Sequence, residues 1–507
     1  MPGGVAIFDY NGDGRPDIFF TNGADIATLK KNDRKFSNRL FRNDGNGVFT
    51  DVTQESGLGG GGFDIGVAVA DYDNDGHPDI FVAGVHGNHL FHNNGNGTFT
   101  DVTQRAGLGR ADDPDYGPLW SVGAVWIDVN NDGLLDLFVV NYVQWAYSAT
   151  PKCGEPGNAF YCHPRNFKGQ PNQLFLNQGD GTFKDVSATW GIRAHVGKGM
   201  AAMMADYDQD GLPDIFVTND ASYNSLFHNR ARTFDEVAFD AGVALVEDGN
   251  FVSGMGGDFR DIDNDGYPDI AFVALRDQTF PLFQNVAGQE FREITTPSGM
   301  RAASIQMDGF GGGLYDFDND GWKDFFVARG HVEEGPKPLL PGRQPNTVFR
   351  NPGPSGKWVA LTAEAGFTNE HRGLNRGSAF GDLDGDGKVD VVTTALGQNA
   401  TIWMNRSKNT GHWLDFKLRG TRSNRDGIGA VIRISTTAGL QTNHMTTSVG
   451  YASSSDGPVH FGLGQQQVVT SVDIAWPSGI KQHLANVPCD QILTVVESAS
   501  PPQPPVP

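Results

Sequence analysis

Asp71-Tyr72-Asp73-Asn74-Asp75-Gly76-His77-Pro78-Asp79-Ile80 is the stretch whose reading decides the fold. It sets carboxylates at positions 1, 3, 5 and 9 of a loop, with glycine at position 6. A hard cation that takes six to eight oxygens needs acceptors on alternate residues of a tight turn. Glycine supplies the backbone freedom to fold that turn back. Position 7, His77, would add its backbone carbonyl. The last acid comes early and an apolar residue follows directly, so the loop leads into a strand rather than a helix.

Six more copies of the loop follow the same template. They are Asp9, Asn11, Asp13, Asp17; Asp128, Asn130, Asp132, Asp136; and Asp206, Asp208, Asp210, Asp214. Then come Asp261, Asp263, Asp265, Asp269; Asp316, Asp318, Asp320, Asp324; and Asp382, Asp384, Asp386, Asp390. The position-7 carbonyls would come from Arg15, His77, Leu134, Leu212, Tyr267, Trp322 and Lys388. Acidic surface turns without a metal would not keep four acceptors in register seven times. Asn11 and Asn130 offer a neutral oxygen in place of a carboxylate, which weakens those two sites without abolishing them. The expectation is up to seven structural Ca²⁺ ions and no other cofactor.

Each loop is flanked by short apolar runs, such as Val67–Ala70 before and Ile80–Ala83 after, which read as strands. A third signature follows every loop, for example Leu40-Phe41-Arg42-Asn43, Leu90-Phe91-His92-Asn93 and Leu226-Phe227-His228-Asn229. After several of these a Gly/Asn turn leads to a fourth strand. Four strands per unit and seven units of roughly 55 residues predict an all-β fold, a seven-bladed β-propeller over residues 1–408.

From the first loop acid to the third-strand aromatic is 20 to 22 residues in blades 2, 4, 5 and 7, but 32, 47 and 33 in blades 1, 3 and 6. All three insertions therefore fall between the second and third strands, on the face opposite the acidic loops. That face is expected to bind a partner. The longest insertion, roughly 143–171, and the strand end before it carry Tyr142, Trp145, Tyr147, Phe160, Tyr161 and Phe167, which suit contact with a protein or glycan or else pack the insertion down. It also holds Cys153 and Cys162-His163. A local disulfide, contributing about 2–3 kcal/mol through loop entropy, is the favoured reading and implies an oxidising compartment. A Cys/Cys/His metal site is the alternative, though no fourth ligand stands at a recognisable spacing. Cys489 is expected to be a small buried apolar residue.

The formal charge of −22 argues against nucleic acid and anionic membranes as partners. Much of it is local: the seven loops hold 26 of the 60 acids, and seven divalent ions would bring the charge to −8. No apolar run is long enough to span a membrane. No signal peptide is visible, since Met1 stands four residues ahead of the first strand pattern, Val5–Phe8; either the start is trimmed or export uses another route.

Residues 409–498 change texture, with alternating apolar and polar residues between Gly/Pro/Ser turns, and predict a small antiparallel β-sandwich. Residues 499–507 read as a Pro-rich solvated tail. Blade 7 shows three clear strands, and its fourth is expected from 412–418 or from residues upstream of Met1.

The seven loops resemble FG-GAP/VCBS repeats, the calcium-binding blades of integrin α-subunit propellers. The segment from His412 to Glu497, with His460-Phe461-Gly462-Leu463-Gly464 and Trp476-Pro477-Ser478-Gly479, looks like an ASPIC/UnbV domain. Together they resemble the cartilage acidic protein 1-like family. The resemblance implies calcium in the loops and a secreted, periplasmic or cell-surface protein; the chain lacks the EGF-like tail of animal members. It leaves two functions open. One is a non-catalytic, calcium-stabilised adhesion or binding protein. The other is an enzyme of specialised metabolism, as in enediyne pathways, with a pocket in the propeller channel or at the junction with the C-terminal domain. Arg376, His371 and His331 are the candidate acid–base groups for the second. No nucleophile elbow, phosphate loop or zinc motif is present.

Overall fold

The computed structural model describes residues 3–109, 112–151, 153–155, 158–332, 342–408 and 410–499. Most of the blade-6 insertion and the Pro-rich end of the chain lie outside these residues. The fold is the all-β propeller that the repeats predict. In the first sheet, strands Val5–Phe8, Asp17–Phe20, Arg39–Gly45 and Val48–Asp51 run up and down in sequence order, and the acidic loop joins the first two. Five further sheets repeat this order with four strands, and a sheet of Asn375–Gly381, Asp390–Ala395 and Thr401–Trp403 has three.

The innermost strands touch in cyclic order, and Val5–Phe8 packs against Asn375–Gly381 to close the circle. A ring of side-chain hydrogen bonds explains the asparagine of the third-strand signature. Asn93, Asn177, Asn229, Asn285, Asn351 and Asn405 each donate from Nδ2 to the position-2 carbonyl of the preceding blade's loop, at 2.8–2.9 Å. Asn43 closes the series on Leu383 at 2.9 Å, across 340 residues of chain. An unpaired buried carbonyl is costly, so one asparagine per blade both satisfies the loop and fixes the neighbour.

The C-terminal region forms two packed sheets. One contains His412–Arg419 between Val459–Gly464 and Gln491–Val496; the other orders Gly439–His444, Val431–Thr436, Val468–Ala475 and Lys481–Pro488. Two expectations fail here. His412–Arg419 belongs to this sandwich, not to blade 7, because it is paired on both sides. The sandwich is also not purely antiparallel: His412–Arg419 and Gln491–Val496 run parallel, register Leu414 to Gln491. Cys489 is half-buried in the turn between Lys481–Pro488 and Gln491–Val496, which lie in different sheets; its Sγ stands 3.3 Å from Asp490 Oδ2, and it packs at the margin of the core, not within it.

The segment 446–455 leaves the sandwich and enters the hole of the ring. Ser454 pairs with the innermost strand of blade 1, exchanging backbone hydrogen bonds with Val5 and Ile7 (3.0 and 3.1 Å). Ala452 accepts from Val67 of blade 2 (3.1 Å), Thr447 donates to Val69, and Gly450 donates to Gly257 of blade 5 (3.0 Å). Tyr451 is fully buried at the end of this plug. The approach is backbone on backbone: a Cβ at Gly4 would stand 1.6 Å from the Ala452 oxygen, and one at Gly256 would stand 2.5 Å from the Tyr451 nitrogen. The expected pocket in the channel is thus filled here by the chain itself.

Candidate metal centres

In loop 2 the Asp71 carboxylate accepts the N–H groups of Asp75 (3.0 Å) and Gly76 (2.7 Å), and Asp75 accepts that of His77 (2.8 Å). Asp79 accepts from Tyr72 (3.3 Å) and from Asn93 on the third strand (2.8 Å). The turn requires left-handed backbone at Asn74 (φ 59°) and Gly76 (φ 98°), which their residue types tolerate.

The other six loops repeat the pattern. Asp9, Asp128, Asp206, Asp261, Asp316 and Asp382 each accept the position-6 glycine N–H. Asp17, Asp136, Asp214, Asp269, Asp324 and Asp390 each accept the third-strand asparagine N–H. Arg15, Leu134, Leu212, Tyr267, Trp322 and Lys388 are held by N–H donation to Asp13, Asp132, Asp210, Asp265, Asp320 and Asp386. Backbone donors thus orient the carboxylates, whose remaining lone pairs are available to a cation.

The donor set fits a hard cation. Two oxygens bound at about 2.4 Å to one ion stand no more than about 4.8 Å apart. One oxygen from each of Asp71, Asp73 and Asp79 meets that limit mutually, as do Asp206, Asp208 and Asp210. Asp261 Oδ1 and Asp318 Oδ1 are buried with no hydrogen-bond partner, as an ion ligand would be. Burial, with the Asp426 carboxylate and the loop acids adding to it, pushes Asp71 up to about 8. Burial likewise lifts Asp17, Asp79, Asp128, Asp206, Asp316 and Asp390 to about 7 and Asp136, Asp269 and Asp324 well above the usual carboxylate range. A divalent ion reverses that logic, since it favours the charged form of every ligand.

Sequence reasoning missed a second set of residues. The position-4 amides of Asn74, Asn131, Gln209, Asn264 and Asn319 each donate to the position-6 glycine carbonyl of the next loop, at 2.8–3.0 Å. This belt runs from blade 2 to blade 7. It stops where position 4 is Gly385 in blade 7 and Gly12 in blade 1. The recurring Asn/Gln at position 4 was the available signal.

The C-terminal sandwich sits on the belted loops. Asp71 N–H donates to Asp426 (2.8 Å) and Arg425 N–H to Asn74 Oδ1 (2.7 Å). Lys323 donates to the Asp261 and Thr442 carbonyls (2.8 and 3.1 Å), and Arg433 to Gln209 (2.9 Å). His460 places one ring nitrogen 2.7 Å from Asp415 Oδ1 and the other 2.9 Å from Asn319 Oδ1. Over blade 1 the cover is open, and a cavity of about 860 Å³ remains, lined by Asp9, Asp382, Lys417, Asp426, Asp456 and His460 among others.

The candidate acid–base groups do not converge. Arg376 is buried, lies 3.8 Å over the Phe310 ring, and donates to the carbonyls of Asn375, His331 and Val332. His371 packs edge-on against Trp403 (5.3 Å) and bonds Thr368. None of Arg376, His371 and His331 lines the cavity. In the blade-3 insertion Cys153 and Cys162 are joined, and His163 accepts from the Arg165 N–H, so the metal alternative falls. Tyr142, Trp145 and Phe167 pack inward, whereas Tyr147 and Tyr161 are 57% and 60% exposed; the Phe160 side chain lies outside the described residues. Sequence reading also passed over three exposed rings of blade 4 on the same face: Tyr223 stands 5.0 Å from Phe239 and 6.1 Å from Phe251. Among the described residues no helix is long and apolar enough to cross a membrane.

Comparison with known proteins agrees with the repeats. Residues 9–82, 71–139, 165–217, 206–272, 261–327 and 316–393 match the FG-GAP-like repeat, and residues 420–502 match the ASPIC and UnbV family. The chain is 26% identical over 335 residues to Homo sapiens cartilage acidic protein 1, covering 64% of this chain and 48% of that protein. It is 25% identical over 343 residues to the Mus musculus protein, covering 64% and 49%. The chain spans about half the length of these relatives. Among solved structures, an Agrocybe aegerita lectin described as recognising non-reducing terminal N-acetylglucosamine aligns at TM-score 0.41 and 17% identity, over 80% of this chain and 94% of that one. YCF48 bound to a D1 peptide aligns at TM-score 0.42 and 7% identity, over 79% and 91%. With repeat matches spanning most of its length, the chain belongs to the FG-GAP-repeat proteins and carries a C-terminal ASPIC and UnbV domain.

Proposed function

We propose that this is a secreted, non-catalytic binding protein whose propeller is held by calcium and whose ligand face is the rim bearing the inserted loops. The observation that carries the reading is the occupancy of the opposite rim: the sandwich covers the belted loops and its plug fills the hole, leaving the insertion rim as the open end of the ring. On that rim Tyr147, Tyr161, Tyr223, Phe239 and Phe251 are exposed, on the adjacent blades 3 and 4. Aromatic side chains on a rigid scaffold suit both protein hot spots and sugar stacking. The disulfide Cys153–Cys162 favours an oxidising compartment. Calcium acts as a staple: at a Kd on the order of 10⁻⁵ M in ~1 mM Ca²⁺, each loop adds about 2.7 kcal/mol.

Binding of the calcium-loaded protein to arrayed glycans and matrix proteins tests this. The triple variant Tyr223→Ser/Phe239→Ser/Phe251→Ser, with an unchanged melting temperature, should lose the ligand; full retention would remove the insertion rim as the binding face. A second reading, a small-molecule site, draws on the 860 Å³ cavity at the propeller–sandwich junction. It predicts that Lys417→Met abolishes ligand binding while the triple variant leaves it intact.

A further inference from the structure

Two of the seven loops carry a donor the others lack. The residue after the signature aromatic of the third strand is Arg42, Leu176, Gln284, Arg350 or Met404 in five blades, but His92 in blade 2 and His228 in blade 4. His92 Nδ1 lies 3.3 Å from Asp73 Oδ2 and 3.2 Å from Asp79 Oδ1. It is buried between the two carboxylates yet aligned for a hydrogen bond to neither. His228 is almost fully buried, its Nδ1 hydrogen-bonded to Asp214 Oδ1 at 3.0 Å and standing 3.8 Å from Asp208 Oδ2. In each loop the ring is set edge-on by the position-2 tyrosine, Tyr72 at 6.4 Å and Tyr207 at 5.6 Å.

These distances match neighbouring ligands of one small ion. Two donors at about 2.1 Å from a common ion, at right angles, stand about 3.0 Å apart; the 3.8 Å separation corresponds to a wider angle. Imidazole nitrogen is a poor ligand for Ca²⁺ and a good one for Zn²⁺ and its first-row neighbours. Resting on the reading that the loops hold divalent cations, we infer that loops 2 and 4 are mixed nitrogen–oxygen sites, in which His92 and His228 ligate a first-row transition ion in preference to Ca²⁺. The remaining five loops offer oxygen alone and stay calcium sites. Gln284 in loop 5 shows what the position does without an imidazole: its amide donates to Asp263 (2.5 Å), a contact outside the ion.

The test uses the full chain, stripped with chelator and reloaded. Mn²⁺ added at two equivalents over saturating Ca²⁺ should give pulsed-EPR coupling to directly bound imidazole ¹⁴N, and Co²⁺ should displace Ca²⁺ from two sites. In His92→Gln/His228→Gln, which keeps a hydrogen-bond donor to the carboxylates, the ¹⁴N coupling should vanish. Co²⁺ affinity should fall by at least the roughly tenfold that loss of an outer-sphere partner costs, with five Ca²⁺ retained. Calcium binding without any ¹⁴N coupling in the native chain overturns this inference and leaves the calcium reading standing. Coupling that persists in the double variant places the ion elsewhere and also overturns it. A chain that binds no divalent ion, Ca²⁺ included, overturns both.

Discussion

The arc from blade 2 to blade 6 and the seam at blades 7 and 1 are built from the same repeat but held differently. Along the arc each loop is tied sideways by a position-4 amide and covered by the sandwich. At the seam position 4 is glycine, the cover opens, and a cavity appears. Loop 1 and loop 7 also set their own cations on the acids: Arg15 on Asp13, and Arg406 and Lys388 on Asp384 and Asp386. The Asn43–Leu383 bond and the plug bridge the seam as they bridge other blades, and Val5 and Ile7 pack on Ala379 and Val392 across it. The circle therefore closes through its third-strand asparagines and its axle, while the belt is reserved for the arc.

Removing calcium breaks the comparison most violently. If several of the proposed calcium sites each add about 2.7 kcal/mol, EDTA should lower the melting temperature by on the order of ten degrees or more. A shift under two degrees would show that the loops hold themselves and that arc and seam differ in packing alone.

The pH dependence of the metal-free protein is a smaller effect with a definite sign. Asp71 near 8 and Asp79, Asp128, Asp206 and Asp316 near 7 are raised in the folded chain by burial, against an ordinary 3.8. The folded state then holds protons that the unfolded state has lost, so stability is greatest at low pH and falls as pH rises through 7 to 8. In EDTA, melting temperature should rise between pH 7.5 and pH 5.5; in excess Ca²⁺ it should fall, because protons compete with the ion. Equal slopes in both conditions would refute the carboxylate crowding.

The smallest effect separates the regions directly. Asn264→Ala removes one belt bond and leaves alanine at positive φ, costing about 2 kcal/mol in urea unfolding. Gly385→Asn restores an amide at the seam and should change stability by less than about 0.5 kcal/mol. A gain there equal to the loss at Asn264 would mean that the seam lacks only the amide.

The loops were legible because their chemistry is local: acceptors at alternate positions, glycine at 6, an apolar residue after 9. The all-β repeat followed from the same spacing, and the disulfide from two cysteines in one insertion. What escaped was non-local. The signature asparagines were visible as a pattern, but their partner carbonyls lie in the preceding blade, 78 to 105 residues back for six of the seven. His412–Arg419 carries the alternation of any strand, and nothing nearby announces its parallel partner at Gln491–Val496. Gly450-Tyr451-Ala452-Ser453-Ser454-Ser455 reads as a turn because small residues suit turns; the small residues around the buried Tyr451 let its backbone approach the inner strands closely. The position-4 amides and the two histidines sat inside recognised motifs and were passed over as filler.

The plug has a consequence for biogenesis. Ala6 is bridged to Ser454, so the inner edge of strand Val5–Phe8 waits for a segment far along the chain before it is satisfied. A chain made from its N-terminal side can stack blades as they appear, but the hollow stays open until the plug, 448 residues after the strand it contacts, has been delivered. Such long-range closure is slow and leaves unpaired edges exposed meanwhile. A stop codon or protease cut ahead of residue 446 would release a wheel without its hub.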